Sequence, residues 1–246
     1  MSPAALVVVP TYNERVNLPL LVRGLMAHDG IRVLIVDDQS PDGTGEVADG
    51  LARAYPGRVT VRHRTGRKGF GRSYIDGMKQ AIAEPVDIIC QMDADLSHDP
   101  AQLPALIAAT AGADVVIGSR YVPGGSITNW PLVRKTLSRF ANAYIRAVTR
   151  LAVRDCTSGY RCWRRQALAA LPLETFFSDG YSFLVEMLFV ASRRGLRIAE
   201  VPIRFVERRE GESKVSGAVL WESALTPWRL VADPKKARKV SASPPP

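Results

Sequence analysis

The sequence predicts an α/β protein, a mainly parallel sheet covered by helices on both faces. Three observations predict it. Short β-branched runs alternate with segments of helical spacing through the first hundred residues. The strand runs are apolar almost without interruption, as strands buried on both faces are. Polar residues collect just past the ends of those strands. The length of 246 residues suits one large domain, and 46% hydrophobic residues supply its core.

Leu6-Val7-Val8-Val9 reads as the first strand, ended by Pro10. Residues 13–28 place Leu18, Leu21, Leu25 and Met26 on one helical face. A second buried strand covers 31–36, followed by a helix near 45–54 and a third strand near 59–63. Residues 71–83 read as a helix that leads into Asp87-Ile88-Ile89-Cys90-Gln91-Met92, the fourth strand. Past Asp99-Pro100, a helix at 103–111 precedes a strand at 114–118. The stretch 119–131 is rich in Gly and Pro and reads as an active-site loop. A long helix at 132–151 follows. Helical spacing returns at 168–171 and 181–194, and 197–206 alternates like a strand. One domain is expected over 1–232, with C-terminal amphipathic elements, and a basic, disordered tail over 233–246.

Cys90, Cys156 and Cys162 are few, odd in number and without C-x-x-C spacing, which argues against a disulfide framework or a zinc site. No stretch reaches 18 uninterrupted apolar residues, so no transmembrane helix is expected; the richest late run, 183–191, is broken by Glu186. The first residues have neither a basic nor a long apolar region, and no signal peptide is expected. The net charge of +9 is uneven: Arg134, Lys135, Arg139, Arg146 and Arg150 recur through the long helix, and Lys235, Lys236, Arg238 and Lys239 crowd together. Such a surface suits a phosphorylated substrate, anionic lipid or nucleic acid. A nucleic-acid module needs basic residues interleaved with exposed aromatics on a recognition element, and it leaves the acidic strand ends unexplained.

Those acidic ends are the most informative feature. Asp93-Ala94-Asp95 closes the fourth strand, and residues i and i+2 of a strand share a face. Two carboxylates held together call for a hard cation with phosphate oxygens. Ligands of open α/β sheets bind beyond the carboxyl ends of the strands. Here Pro10-Thr11-Tyr12-Asn13-Glu14, Asp37-Asp38-Gln39-Ser40-Pro41-Asp42-Gly43-Thr44 and Gly118-Ser119-Arg120-Tyr121 follow the other strands. Capping and turn roles account for Asn13, Asp42 or Gly43 singly; four clusters on one rim point to a binding site. No G-x-G-x-x-G follows the first strand and no P-loop motif occurs. The basic run Gly66-Arg67-Lys68-Gly69-Phe70-Gly71 opens a helix, as a turn or as a phosphate site at a helix N-terminus.

P-T-Y-N-E (10–14), V-D-D-Q-S-P-D-G-T (36–44), M-D-A-D-L-S-H-D-P (92–100), G-S-R-Y (118–121) and G-E-S-K (211–214) together resemble the family 2 glycosyltransferases of GT-A fold, and within them the polyprenol-phosphate (dolichol-phosphate) mannose synthases. The resemblance covers roughly residues 5–230. It implies transfer of mannose from GDP-mannose to a polyprenyl or dolichyl monophosphate, with Mg²⁺ or Mn²⁺ and inversion to a β-linked product. Pro10, Tyr12 and Glu14 would line the nucleotide pocket, Asp37 or Asp38 would address guanine or ribose, and Lys214 would sit near the donor diphosphate. Asp93 and Asp95 would be catalytic, facing the sugar nucleotide and the metal. Arg120, also catalytic, would bind acceptor phosphate with Arg134 and Ser138. Some members carry Gln where this chain has Ser97, a shorter metal ligand. The same scaffold also serves UDP-glucose and other sugar nucleotides.

The chemistry agrees from below. A lipid phosphate is already anionic and needs no general base; it needs arginines to screen its approach to a diphosphate. His28 and His63 read as peripheral, and His98 as structural or a neighbour of the metal. Trp130, Pro131, Leu132, Phe176, Phe177 and Tyr181 suit a lipid headgroup interface, although each aromatic is singly more often core. Peripheral contact with the cytoplasmic membrane face is expected, with a membrane-spanning anchor protein as the other route, and no nucleic-acid partner.

Overall fold

The structure, a computed structural model, describes residues 4–178, 180–207, 217–233 and 236, save the side chains of 181 and 217–223. In chain order it builds β1 (Ala5–Thr11), α1 (Asn17–Met26), β2 (Ile31–Asp37), α2 (Thr44–Ala54), β3 (Val59–His63), α3 (Phe70–Ile82), β4 (Ile88–Gln91), α4 (Leu103–Ala109), β5 (Val115–Ser119), β6 (Ser126–Thr128), α5 (Leu132–Thr149), β7 (Arg161–Arg164), α6 (Arg165–Ala169), α7 (Gly180–Arg193), β8 (Ile198–Pro202), β9 (Arg204–Val206) and α8 (Gly217–Ala232). A seven-stranded sheet has the order β3-β2-β1-β4-β7-β5-β8, and every pairing in it is parallel except those of β7.

Alternation along β1 divides the core into the two expected layers. Ala5, Val7 and Val9 pack with Leu18, Leu21 and Leu25 of α1, Ala48 of α2 and Leu106 of α4. Leu6 and Val8 face Tyr74 and Met78 of α3, Leu168 of α6 and Phe183 and Leu188 of α7. Each such side chain removed from water contributes ~1.5–3 kcal/mol, which is what seats the helices on the sheet. α3 lies so close that a Cβ at Gly77 would stand 2.5 Å from Val8 Cγ1 and 2.8 Å from Val36 Cγ2. That approach carries the start of α3 to the rim where β1, β2 and β4 end.

Several expectations are corrected. Residues 161–164 form an antiparallel strand between β4 and β5, passed over because Arg-Cys-Trp-Arg is short and lacks β-branched residues. The expected strand at 197–206 is two strands in two sheets. Pro202 ends β8, and β9 pairs with β6, which lies inside the expected loop. α1 begins at Asn17 rather than 13. Asn13 takes the left-handed conformation (φ 61°) that Asn tolerates, and the N–H groups of Asn13, Glu14 and Arg15 bond instead to Ser40, Thr44 and Asp42 of the neighbouring rim loop. α8 was hidden by Pro227, which lies within it.

Within the segment expected as the tail, Lys236 is buried, pairs with Glu186 of α7, donates to Thr175 O (3.0 Å) and lies 4.1 Å over the Phe177 ring. A fully buried Glu186 carboxylate needs such a cation. Residues 237–246 lie outside the described residues. Among the described residues no helix is long and apolar enough to cross a membrane.

Candidate active site at the strand ends

The rim between β1 and β2 is built from carboxylates that hold loops. Asp37 accepts from Thr11 Oγ1 (3.1 Å), Ser40 N (3.2 Å) and Ser40 Oγ (2.6 Å). Asp38 pairs with the buried Arg64 and accepts from Gly69 N at 2.8 Å, so it organises the basic run before α3. Arg64 also reaches Asp76 (2.7 Å) and Arg67 O (3.0 Å). Lys68 is thereby placed 4.6 Å over the Tyr12 ring, with its Nζ donating to Gln39 O. Glu14 accepts from Asn17 at 2.9 Å. Pro10, Tyr12, Glu14, Asp37 and Asp38 thus share one end of the rim, as expected, although both aspartates grip the protein itself.

β4 delivers the acid pair. Asp93 accepts from Tyr74 Oη at 2.9 Å, and a Cβ at position 159 would come 3.0 Å from its Oδ2, a space only glycine leaves. Burial, then the adjacent Asp93, raises the Tyr74 hydroxyl well above its ordinary pKa, so it stays a donor. Asp95 is buried and accepts from Ser97 N (3.1 Å) and Ser97 Oγ (2.6 Å). Ser97, which stands where some members carry Gln, thus orients Asp95. Burial pushes His98 down to about 4, leaving it neutral; it stacks on Tyr160 at 5.0 Å and meets Phe205 edge-on at 5.5 Å. His63 pairs with Asp49 at the surface.

Beyond the acids lies the arginine end. Arg120 is buried and clamped by Asp155, with Nε to Oδ2 and Nη2 to Oδ1 both at 2.7 Å and its backbone N to Oδ2 at 2.9 Å. Nη2 also reaches Thr157 Oγ1 at 2.8 Å. Burial raises the Asp155 carboxyl, but the Arg120 guanidinium outweighs it and holds the group below its ordinary value. Ser138 of α5 accepts from Tyr121 Oη (2.7 Å), and Asn142 one turn on ties α5 to Thr157 and to Cys156 N. Arg134 pairs with Glu207 at 2.6 Å and lies 4.0 Å over Trp130. Arg161, fully buried, donates to Ser158 O, Leu184 O and Cys156 O at 2.7–2.9 Å. Burial lowers it to about 10, so it remains a cation at neutral pH.

Asp93, Asp95, His98, Arg120, Trp130, Arg134 and Ser138 line one cavity of about 750 Å³. Its far end is apolar, formed by Leu137, Phe140, Tyr144 and Ile145 of α5, Val185 of α7 and Pro227 of α8. Lys214 lies outside the described residues. Among the described residues no group of three or more His, Cys, Asp or Glu could hold a metal. Asp93 and Asp95 nonetheless form a donor set that fits Mg²⁺ or Mn²⁺, since Mg²⁺ is commonly held by one or two carboxylates plus substrate phosphates.

Asp155, Thr157, Tyr74 and Arg161 escaped the sequence reading. The signal was present: Asp155-Cys156-Thr157-Ser158-Gly159-Tyr160-Arg161 is a fifth polar cluster. It precedes its strand instead of following it, and only because β7 runs antiparallel does it reach the same rim.

The family model described as Glycosyl transferase family 2 matches residues 6–171. The polyprenol monophosphomannose synthase of Mycolicibacterium smegmatis is 44% identical over 240 residues, covering 96% of this chain and 90% of its own. The undecaprenyl-phosphate mannosyltransferase of Micrococcus luteus is 47% identical over 230 residues, covering 92% and 94%. Among solved structures, glucosyl-3-phosphoglycerate synthase from Mycobacterium tuberculosis, in complex with Mn²⁺, UDP-glucose and phosphoglyceric acid, matches with a TM-score of 0.68 at 19% identity, over 97% of this chain and 81% of that one. That likeness shows a shared GT-A-like fold.

Removing the anchor of Arg120 should be costly. Asp155→Asn leaves a buried guanidinium without its counter-charge and is expected to lower unfolding free energy by roughly 3–5 kcal/mol. Because the Asp155 carboxyl lies below its ordinary 3.8, the parent protein keeps this contribution at neutral pH and loses it as pH falls through the folded value. Urea denaturation at pH 7 and pH 3 checks both: the gap between parent and variant should shrink at pH 3, and a gap that is absent at pH 7 contradicts the assignment.

Proposed function

The chain belongs to glycosyltransferase family 2, and from the geometry of its site we propose that it moves mannose from GDP-mannose to a polyprenyl monophosphate. The observation that carries this reading is the single cavity that joins an acid pair, two arginines and an apolar groove. An acceptor with a phosphate head and a hydrocarbon tail matches that sequence of surfaces. Both relatives, a phosphomannose synthase and a mannosyltransferase, favour mannose over glucose.

In this reading Arg120, Arg134 and Ser138 hold the acceptor phosphate, and the α5–α7–α8 groove takes its first isoprenes. The phosphate oxygen attacks the anomeric carbon from the face opposite the leaving group. A carbon–oxygen bond forms, the bond to the diphosphate breaks, GDP departs and the product is β-linked. No proton has to be removed from the nucleophile, so the residues act by position and charge. Mg²⁺ or Mn²⁺ held by Asp93 and Asp95 would neutralise the departing diphosphate. Tyr74 and Ser97 keep those two carboxylates aimed. Pro10, Tyr12 and Glu14 line the nucleotide side, where Asp37 and Asp38 act through the loops they hold, and Lys214 is assigned to the diphosphate from the family motif. Purified enzyme offered GDP-mannose, UDP-glucose and UDP-N-acetylglucosamine with a short polyprenyl phosphate should form lipid product from GDP-mannose alone. The product should require the metal and be lost by at least a hundredfold in Asp95→Ala. Product from UDP-glucose in preference would overturn the donor assignment.

We further propose that the mouth of the groove rests on the cytoplasmic face of a membrane. Leu132, Val133 and Phe140 of α5 are 77%, 80% and 69% exposed, and Trp228 of α8 is 58% exposed. Lys135, Arg139 and Arg229 share these two helices. Apolar residues bordered by cations suit anionic headgroups. Of the aromatics expected to form this surface, Trp130 lines the cavity, Phe176 packs against the core, and Phe177, beneath Lys236, is 48% exposed. The side chain of Tyr181 lies outside the described residues. Protein should sediment with liposomes containing anionic lipid at low salt, less so in Phe140→Asp. Absence of binding at low salt would assign the anchoring to a membrane-spanning partner protein.

A further inference from the structure

We propose that Glu207 is an internal stand-in for the acceptor phosphate, holding Arg134 at the cavity mouth until the lipid phosphate displaces it. The proposal rests on the reading of Arg134 as a ligand of that phosphate. Glu207 follows β9 directly, and β9 pairs with β6 so that Val206 lies opposite Thr128. The two strands therefore set Glu207 beside the segment leading through Trp130 into α5. There Arg134 Nη1 donates to Glu207 Oε1 at 2.6 Å while the guanidinium covers the Trp130 ring at 4.0 Å.

The exposure of this pair decides its use. The Arg134 and Glu207 side chains are 41% and 33% exposed, in the range where ion pairs add little to stability. By contrast the Arg120–Asp155 clamp in the same cavity is buried, tripled by a backbone bond, and built to stay. An exposed pair is easily exchanged: Glu207 offers Arg134 one oxygen contact here, whereas a phosphate carries more charge and can accept a forked pair of bonds. Glu207 thus competes with the acceptor for Arg134, and it keeps the guanidinium at its working position between turnovers.

The test is equilibrium binding and steady-state kinetics with farnesyl phosphate for the parent protein, Glu207→Gln, Glu207→Asp, Arg134→Ala and the Arg134→Ala/Glu207→Gln double variant. Glu207→Gln is expected to bind farnesyl phosphate roughly two- to fivefold tighter, the scale of a half-exposed ion pair. The acceptor KM should fall with kcat unchanged and GDP affinity unmoved. Glu207→Asp should resemble the parent. In the Arg134→Ala background the Gln substitution should have no effect. Unchanged or weaker binding in Glu207→Gln, or an equal gain in both backgrounds, overturns the proposal. If Arg134→Ala alone leaves acceptor binding intact, the assignment of Arg134 fails first; if it weakens binding while Glu207→Gln is silent, only the role of Glu207 fails.

Discussion

The buried pair of Arg120 and Asp155 is the interaction on which the rest of the site depends. Arg120 leaves β5, Asp155 opens the loop into β7, and their clamp closes the gap between the two strands at the rim. From Asp155 the chain passes Thr157, which reaches both Arg120 and Asn142 of α5, and Gly159, which makes room for Asp93. Arg161 then fastens the same loop to α7 through carbonyl oxygens. One buried ion pair therefore sets the relative positions of the acid pair, α5 and the apolar groove. A buried pair of this kind is weak evidence of net stability but strong evidence of a fixed geometry, because separating its members leaves a charge stranded.

The site divides its charges by task. On the side of β1 and β2, carboxylates point inward: Asp37 fixes residues 40 and 11, and Asp38 with Arg64 fixes the basic turn that carries Lys68 over Tyr12. In the middle, Asp93 and Asp95 are each oriented by a hydroxyl, from Tyr74 and Ser97. On the far side, arginines face the cavity. Two anions that repel each other can meet at such a boundary only if each has its own counter-charge. The apolar groove continues beyond that end between α5, α7 and α8.

How much of this was legible in the sequence follows from what each signal encodes. The parallel strands were legible because burial on both faces forces continuous apolar runs, as in Leu6-Val7-Val8-Val9. The rim was legible because parallel strands all end on one side, which grouped residues 10–14, 37–44, 93–98 and 118–121 before any coordinates. The rule that found them also hid Asp155 and Arg161, since an antiparallel strand brings its beginning, not its end, to that side. Arg161 was doubly hidden: a charge normally reads as surface, and here three carbonyl oxygens allow it to be fully buried. α8 and the apolar groove it completes depend on long-range packing around Pro227, which no local pattern announces. The arginines of α5 were visible as a basic helix, but the burial and multiple bonds that separate Arg120 from the half-exposed, singly bonded Arg134 are set by tertiary contacts.

We propose that donor and acceptor anions meet beside Asp93 and Asp95, with the lipid tail lying between α5, α7 and α8. Photo-crosslinking with a polyprenyl phosphate carrying a diazirine on its second isoprene tests it most directly. Peptide mapping should place the adducts on Leu137, Phe140, Tyr144 or Val185, with labelling suppressed by excess unlabelled polyprenyl phosphate. Adducts on α1, α2 or α4, across the sheet from the groove, would contradict the account.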